Sequence, residues 1–182
     1  AFYREWLDDS MTYSSAVFGD GDECLGAAQR RKYSTILDRL ELKPGDRILE
    51  IGCGWGGLAI EAARRGAHVT GLTLSREQLD FARQRIADVG LDDRIELRLQ
   101  DYRDVQERFD HVVSIEMFEA VGMEYWPAYF QAVANALKPG GRAALQVITI
   151  DDRIFPRYRR KPDFIQRYIF PGGMLPSDSA LE

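Results

Sequence analysis

Three glycines in the stretch ILEIGCGWGG, at positions 52, 54 and 56, constrain the fold of this chain more than any other feature. They follow a short apolar run at 47–52 that predicts a β-strand, and they precede LAIEAARRG at 58–66, which predicts a helix. Glycine permits positive φ and lets the backbone approach a ligand without a Cβ clash. A strand, a glycine turn and a helix in this order are typical of the carboxyl edge of a doubly wound sheet, where such folds bind ligands.

The alternation of apolar strands and amphipathic helices continues on both sides of this loop. This spacing predicts one α/β domain with a doubly wound, mainly parallel sheet. Ser75 is predicted to cap a helix, and Gln78, three residues later, completes a capping-box pattern. The predicted strands are 47–52, 67–74, 94–100, 110–116 and 142–150, and the predicted helices are 26–42, 58–66, 75–90 and 126–137, the last followed by a stop at 138–141.

Composition narrows the class of protein. The 182 residues, 45% of them hydrophobic, suffice for one domain with a sizeable core, and a net charge of −5 argues against a nucleic-acid binder. Cys24 and Cys53 lack the C-x-x-C spacing of a zinc site, so we expect no metal and a reducing, cytoplasmic location. No apolar run approaches the roughly 20 residues that cross a bilayer. Because the chain begins with Ala and ends soon after a turn-rich segment, we expect a piece of a longer protein.

The residues around the glycine loop favour one cofactor over another. The spacing is G-x-G-x-G with Glu50 two residues ahead, not the G-x-G-x-x-G of dinucleotide binders, which favours S-adenosylmethionine over NAD. Thr73, after the second strand, can hydrogen-bond a ribose or an amino-acid tail and leaves the choice open. After the third strand, Asp101 is placed to accept from an adenine amino group and Tyr102 to stack on the ring. Two alternatives stand beside this interpretation: the glycine turn is purely geometric, or Asp101 caps a helix.

Six motifs between Met11 and Ser177 carry a resemblance: MTYSSAVF, LEIGCGWGGLA, GLTLSREQ, LQDYRD, SIEMFEAVG and YIFPGGMLPS. Together they resemble the cyclopropane-fatty-acyl-phospholipid synthase family of S-adenosylmethionine-dependent methyltransferases, which includes mycolic acid cyclopropane synthases. The resemblance implies a Rossmann-like class I methyltransferase fold with strand order 3-2-1-4-5, truncated before the last two strands. It also implies an N-terminal lid over the cofactor at 1–25, a cofactor-binding core at 26–150 and an incomplete acceptor-side segment at 151–182.

The resemblance further implies the residues of the site. Tyr13 and Ser14 would belong to the lid, the alternative being a surface turn. Glu119 would be the active-site glutamate, with Glu116 a weaker candidate for the same pocket. The alternative for Glu119 is a carboxylate that favours the start of a helix. The implied cofactor-binding residues are Tyr13, Ser14, Glu50, Gly52, Cys53, Gly54, Gly56, Thr73, Leu74, Gln78, Asp101 and Tyr102.

Three positions depart from the family pattern. Where the family's cyclopropane synthases have Cys, His and His, this chain has Ser15, Ala120 and Gln146. In the family, that Cys, the active-site glutamate and the second His help to hold a bicarbonate ion. Ser15 and Gln146 can hydrogen-bond an anion but differ from Cys and His in size and acidity, so we expect bicarbonate to bind less tightly or not at all. The implied catalytic set is Glu119, Ser15 and Gln146.

The implied reaction is methyl transfer from S-adenosylmethionine to the double bond of an unsaturated fatty acyl chain of a phospholipid. An alkene is a poor nucleophile, so the reactants must be aligned, and the resulting carbocation must be shielded from water and lose a proton to a base. The product is a cyclopropane or a methylene or methyl-branched chain. The alternatives are a small-molecule N- or C-methyltransferase and a non-catalytic cofactor- or lipid-binding module, while the glycine spacing disfavours an NAD oxidoreductase.

The last segment interleaves basic and aromatic side chains, which fits peripheral contact with an anionic membrane surface on the inner side. The alternatives are a solvated loop and, less favoured in an acidic chain, a nucleic-acid surface. The fifth strand would offer a free edge, which makes a homodimer one expectation. The residues concerned in the last segment are Arg153, Arg157, Arg159, Arg160, Lys161 and Arg167, alternating with Phe155, Tyr158, Phe164, Tyr168 and Phe170.

Overall fold

The computed structural model describes residues 5–21 and 23–182. Strands and helices alternate there as the hydrophobic pattern predicts. The strands are β1 (Arg47–Ile51), β2 (His68–Thr73), β3 (Ile95–Leu99), β4 (Phe109–Ile115) and β5 (Leu137–Gln146), and the main helices are α1 (Leu25–Arg39), α2 (Gly57–Arg64), α3 (Arg76–Asp88) and α4 (Trp126–Ala136). Shorter helical segments are α5 (Phe155–Tyr158), α6 (Asp178–Leu181), a π-helical turn at Ile165–Ile169 and 3-10 turns at Tyr102–Asp104, Phe118–Ala120 and Met123–Tyr125.

The five strands form one parallel sheet in the order β3-β2-β1-β4-β5, which confirms the predicted fold class and strand order. β1 is the middle strand, and its Leu49 lies opposite Thr70 of β2 and Val112 of β4. The last four of its five residues are buried, as expected of a strand that is covered on both faces. The winding of the chain reverses between β1 and β4, where doubly wound sheets open a crevice at the carboxyl ends of the strands.

Helices cover both faces of the sheet. On one face, α1, α2 and α3 contribute to a core cluster that includes Ile48 and Leu58, and on the other, α4 contributes to a second cluster that includes Leu49 and Tyr129. The neighbours Ile48 and Leu49 belong to opposite clusters because successive side chains of a strand point to opposite faces. None of the helices in the described part of the chain is long and apolar enough to cross a membrane.

The start of β5 differs from the prediction. The sequence predicts a stop at 138–141 and a strand from residue 142, whereas β5 begins at Leu137, which already pairs with Phe109 of β4. Regular pairing resumes at Arg142, opposite His111, so the intervening four residues form an irregularity inside the strand. Gly140 in that segment has a φ of 79°, which glycine adopts without strain.

The end of β5 is also earlier than predicted, at Gln146 instead of residue 150. Beyond that point the chain leaves the sheet, because the Ile148 N–H donates to the Glu119 carboxylate at 2.5 Å and the Ile150 N–H to the Pro176 carbonyl at 2.9 Å. The departure of the chain brings the C-terminal segment beside Glu119.

The predicted capping box at α3 forms only in part. The Ser75 hydroxyl accepts from the Gln78 N–H at 3.2 Å, which confirms the N-cap. A capping box also requires the Gln78 side chain to accept from the Ser75 N–H, and this part of the prediction was wrong. The Ser75 N–H donates to Thr73 Oγ1 at 3.1 Å. The Gln78 side-chain amide instead accepts from Thr73 Oγ1 and donates to the Tyr13 hydroxyl. Thr73 satisfies the Ser75 N–H, so the Gln78 side chain is available to connect β2 with the N-terminal segment.

Candidate functional site

A cleft of about 450 Å³ opens at the carboxyl ends of β1, β2 and β4, at the point where the sheet reverses its winding. Its volume lies within the roughly 300 to 1,000 Å³ of small-molecule and cofactor sites. A smaller recess under residues 10–14 adjoins it. The lining residues of the cleft are Tyr13, Ile51, Gly52, Gly54, Leu72, Thr73, Leu74, Ser75, Gln78, Gln100, Asp101, Tyr102, Ile115, Glu116, Met117 and Ala120.

The glycine loop forms one wall of the cleft. Gly52, Gly54 and Gly56 have φ values of 82°, 51° and 81°, all in the left-handed region that favours glycine. A Cβ on Gly52 would lie 2.9 Å from Cγ of Met117, so the loop and the end of β4 are in close contact. The Cys53 side chain is buried in the core, and its N–H and that of Gly52 both donate to the Leu72 carbonyl. Cys53 therefore faces a ligand through its backbone alone.

Glu50 is a buried acid at the floor of the smaller recess. Burial raises the pKa of its carboxyl to about 8. Its Oε2 is completely buried, and no hydrogen bond from the described residues reaches it. A buried, unpaired carboxyl is costly, so this position suits a ligand that brings a positive charge or a hydrogen-bond donor.

The segment predicted as a lid lies over the glycine loop and is held by α1. The Gln29 amide donates to the Ser14 carbonyl at 2.8 Å, and Lys32 Nζ donates to the Ser14 hydroxyl at 2.6 Å. The Tyr13 hydroxyl accepts from Gln78 at 3.4 Å, and a Cβ on Gly54 would lie 3.8 Å from the Tyr13 ring. These contacts place the predicted lid residues above the loop and beside the end of β2.

Gln29 and Lys32 were missed as site residues. Both are almost completely buried, on the face of α1 that also buries Tyr33 and Leu37. The available signal was a pair of polar residues at positions where the helical period places core residues. Burial lowers the pKa of Lys32 to about 8, while the charges of Glu116 and Asp8 act in the opposite direction.

The cleft also carries several of the residues predicted to bind the cofactor, among them the adenine-site candidates Asp101 and Tyr102. Thr73, Leu74, Gln78, Asp101 and Tyr102 all line it. The Asp101 carboxylate caps the 3-10 turn at its own position by accepting from the N–H of Arg103, and it also accepts from the Arg103 guanidinium at 2.7 and 2.9 Å. The capping role that the sequence left as an alternative is therefore present, and Asp101 also lines the cleft.

Ser15 and Gln146, predicted as catalytic residues, meet at Glu116, at the near end of the cleft. Oε1 of Glu116 accepts from the Ser15 N–H at 2.8 Å, from the Ser15 hydroxyl and from the Gln146 amide at 2.8 Å. Glu116 itself has a φ of 46°, an uncommon value for a residue with a side chain. The sequence favoured Glu119 over Glu116 as the acid of this pocket, whereas Glu116 is the acid that Ser15 and Gln146 contact.

Glu119 lies in the 3-10 turn that follows β4. One carboxylate oxygen accepts from the Ile148 N–H, and the other is buried with no partner among the described residues. Burial raises the pKa of the Glu119 carboxyl, and the charge of Glu116 raises it further. The two acids thus have different surroundings. The Glu116 carboxylate accepts three hydrogen bonds, whereas the surroundings of Glu119 favour its protonated form. No group of three potential metal-ligating side chains occurs in residues 5–21 and 23–182.

Comparison with known proteins gives a consistent picture. A family model described as mycolic acid cyclopropane synthetase matches residues 1–182. The chain is 47% identical over 186 residues to tuberculostearic acid methyltransferase UfaA1 of Mycobacterium tuberculosis, covering 98% of this chain and 44% of that protein. It is 42% identical over 179 residues to the cyclopropane-fatty-acyl-phospholipid synthase of Escherichia coli strain K12, covering 96% and 44%. The chain spans less than half of each of these relatives.

A solved structure has the same fold. The crystal structure of mycolic acid cyclopropane synthase CmaA1 complexed with SAH and CTAB matches with a TM-score of 0.89 and 34% sequence identity. The match covers 99% of this chain and 67% of that one. The five-stranded sheet described above therefore lies within a methyltransferase fold of known type.

The burial of Lys32 leads to a prediction about stability. Because the folded-state pKa is about 8, below the ordinary 10.5, the folded protein loses this proton before the unfolded protein does. The cost of burying the charge is full below pH 8 and disappears as pH rises to 10.5. We therefore expect the unfolding free energy of wild type to rise relative to that of Lys32→Met across this window, by at most about 1.4 kcal/mol per pH unit.

Denaturant unfolding of both proteins at several pH values in this window measures the difference. Lys43→Met, which removes an exposed lysine, is the matched control and is expected to show no such trend. A difference between wild type and Lys32→Met that stays constant with pH would contradict the prediction.

Proposed function

Because the chain belongs to the mycolic acid cyclopropane synthetase family, we propose that it transfers a methyl group from S-adenosylmethionine to the double bond of an unsaturated fatty acyl chain in a phospholipid. The observation that carries the cofactor assignment is the buried, unpaired carboxyl of Glu50 beneath the glycine loop. A cationic ligand such as the amino-acid end of S-adenosylmethionine satisfies this group. The pyrophosphate of a dinucleotide would instead place negative charge beside it.

The residues of the cleft fit the rest of this cofactor. Glu50 would receive the α-amino group, and the positive-φ glycines allow the amino-acid tail to lie against the backbone. Asp101 would accept from the adenine amino group beside the ring of Tyr102. The complete set proposed to bind it is Tyr13, Ser14, Glu50, Gly52, Cys53, Gly54, Gly56, Thr73, Leu74, Gln78, Asp101 and Tyr102.

The reaction requires that the methyl group be aligned with the alkene, that water be kept from the carbocation and that a base accept a proton. When bound, S-adenosylmethionine supplies a methyl group attached to a positively charged sulfur. The segment from Tyr13 to Ser15 would cover the reacting atoms and exclude water, because α1 holds it above the glycine loop. The carboxyl group of Glu116 lines this space, that of Glu119 lies in the following 3-10 turn, and both are candidates for proton transfer.

The product is proposed as a cyclopropane or as a methylene or methyl-branched chain. Relatives of similar identity carry names of both kinds, a fatty acid methyltransferase at 47% and a cyclopropane synthase at 42%. A methyl-branched saturated chain would additionally require a reductant. The similarity to these two relatives favours lipid modification over methylation of a small molecule. A non-catalytic module is disfavoured by the ordered contacts of Ser15 and Gln146 with Glu116.

We further propose that residues 151–182 form the acceptor side and touch the inner surface of an anionic membrane. The segment packs beside Glu119, whose carbonyl accepts from the Met174 N–H at 2.8 Å. Its outer surface combines exposed rings and aliphatic groups with cations, an arrangement that suits the headgroup region. The large exposed apolar residues of the segment are Ile154, Phe164, Ile165, Tyr168, Ile169, Phe170 and Leu181. Pairing of a second copy along the outer strand β5 stays a prediction.

The cofactor assignment predicts a proton-linked binding event. A cation beside Glu50 lowers a pKa that is about 8 in the free protein, so binding at pH 7 is expected to release about 0.9 proton from this carboxyl. Glu50→Gln should lose that release and bind S-adenosylmethionine roughly 10 to 100 times more weakly. Calorimetry in two buffers of different ionisation enthalpy measures both quantities.

Gly54→Val places a branched side chain at a φ of 51° and is expected to abolish cofactor binding. Affinity and proton release that are the same in Glu50→Gln and wild type would show that no cation binds at this carboxyl.

The reaction assignment predicts a change in cellular lipids. Expression of the full-length protein that contains this chain should add one CH₂ group to unsaturated acyl chains of phospholipids, as measured by mass spectrometry. Chemical derivatisation then separates a cyclopropane from a methylene product. Gly54→Val is the control for dependence on the cofactor site. Unchanged lipids together with methylation of a soluble amine in the absence of vesicles would reject the lipid substrate.

The surface assignment predicts salt-sensitive membrane binding. Association with anionic phospholipid vesicles in a sedimentation assay should fall with added salt and with Arg157, Arg159 and Arg160 changed to Glu. The matched control changes Arg39, Lys43 and Arg108 to Glu, which alters the charge equally at the opposite edge of the sheet. Equal loss in both triple variants would indicate a net-charge effect and no specific surface.

A further inference from the structure

Glu116 occupies a position that depends on two distant parts of the chain. Its carboxylate receives two hydrogen bonds from Ser15 and one from Gln146, residues 101 and 30 positions away in the sequence. The Glu116 N–H also donates to the Gln146 carbonyl at 2.8 Å, so backbone and side chain are both fixed to the end of β5. The acid is therefore held by the N-terminal segment and the sheet together.

The backbone of Glu116 is strained for a residue with a side chain. Its φ of 46° lies in the left-handed region, which is unfavourable for a residue other than glycine. Strain of this kind persists where the surroundings fix the conformation, and it is concentrated at functional sites. Here the strained residue lines both the glycine-loop cleft and the adjoining recess.

The hydrogen bonds leave one oxygen of Glu116 available. All three described donors bind Oε1, and none of the described residues donates to Oε2. Lys32 is near enough for the charge of Glu116 to raise the pKa of the lysine against the effect of burial. A carboxylate that is oriented through one oxygen and open at the other can accept a proton.

Glu119 is less suited to accept a proton. Its carboxyl accepts from the Ile148 N–H through one oxygen and is buried at the other, in surroundings that favour the protonated form. Two acids in different surroundings divide into a proton acceptor and a group that holds its proton. Glu116 corresponds to the acceptor.

We propose that Glu116 is the catalytic base of the methyl-transfer reaction and that its carboxylate fills, as part of the chain, the place between Ser15 and Gln146 where a small anion would otherwise bind. The inference rests on the proposed function. No external anion is then required, because the covalently attached carboxylate is held by the same two residues.

The step balances without a further reactant. The π electron pair of the alkene forms the bond to the methyl carbon, the methyl–sulfur bond breaks with its pair left on sulfur, and the neighbouring carbon becomes a cation. Oε2 of Glu116 then takes a proton from the new methyl group, and the released C–H pair closes a three-membered ring. After a hydride shift to the cation, loss of a proton from the same methyl group gives a methylene instead. The protonated Glu116 returns its proton to solvent.

The first test measures anion binding in the absence of the reaction. Glu116→Gly removes the carboxylate and suits the observed φ, so the variant should fold. Formate or bicarbonate at constant ionic strength should raise its thermal midpoint progressively with anion concentration, by roughly 3–6 °C at ten times the dissociation constant. Glu41→Gly is the matched control, because Glu41 is a second glutamate at positive φ, 55°, on the opposite edge of the sheet.

The expected result is an anion response in Glu116→Gly alone. Equal responses in wild type and both variants, or no response in a folded Glu116→Gly, would overturn the claim that the carboxylate fills an anion position.

The second test uses the full-length protein with unsaturated phospholipid vesicles. Glu116→Gln keeps the shape but cannot accept the proton, so turnover should fall roughly 10² to 10⁴-fold while the dissociation constant for S-adenosylhomocysteine changes less than about threefold. Formate or bicarbonate should restore turnover at least about tenfold in Glu116→Gly and not in Glu116→Gln, whose side chain still fills the space. Glu124→Gln, a nearby exposed acid, controls for the change of charge.

The outcomes distinguish the two proposals. An active wild type with Glu116→Gln within about threefold of it would overturn the base assignment and leave the proposed function standing. A wild type that binds S-adenosylhomocysteine but methylates no unsaturated phospholipid would overturn the proposed function, and the base assignment with it. Loss of activity in Glu116→Gln with selective rescue of Glu116→Gly would support both.

Discussion

The parallel pairing of β1 with β2 on one side and β4 on the other is the constraint on which the rest of this molecule depends. It aligns Ile51 with Leu72 and with Ser114, so the next residues of all three strands emerge at the same edge. The glycine loop, the Thr73 region and Glu116 are consequently neighbours although they are far apart in sequence. The site is made by the ends of the strands, and the core clusters on the two faces fix those ends in place.

The site is stabilised less well than the core beneath it. A lysine, a glutamate with an unpaired oxygen and a strained glutamate are gathered within a small volume, each with some cost to the folded state. Lys32 carries a buried positive charge and donates to the neutral hydroxyl of Ser14, and Glu50 is buried without a charged partner among the described residues. A bound cation beside Glu50 would relieve part of this cost, which couples the stability of the fold to occupancy of the cleft.

Local patterns were sufficient to predict the fold, because each depends on residues that are close in the chain. The glycine turn after β1, the Ser75 cap and the alternation of strands and helices are of this kind, and the strand order followed from the resemblance. The start of β5 was predicted wrongly because Leu137 pairs with Phe109 across an irregularity, a choice made by the neighbouring strand. Lys32 and Gln29 were missed because their burial depends on the N-terminal segment folding over α1.

Contacts between distant residues also explain why Ser15 and Gln146, taken from the sequence alone, indicated only a weakened anion site. Considered one at a time, each is a less acidic substitute at an anion-binding position and indicates a weakened site. In the folded chain both donate to one carboxylate oxygen, so the two substitutions and Glu116 form a single arrangement. The hydroxyl and the amide have the correct polarity for this purpose, since each donates a hydrogen bond to an acid already present and neither has to supply acidity itself. A change of Glu116 would remove the shared acceptor of Ser15 and Gln146, and a change of either donor side chain would remove one hydrogen bond to Glu116, so their identities should be considered together.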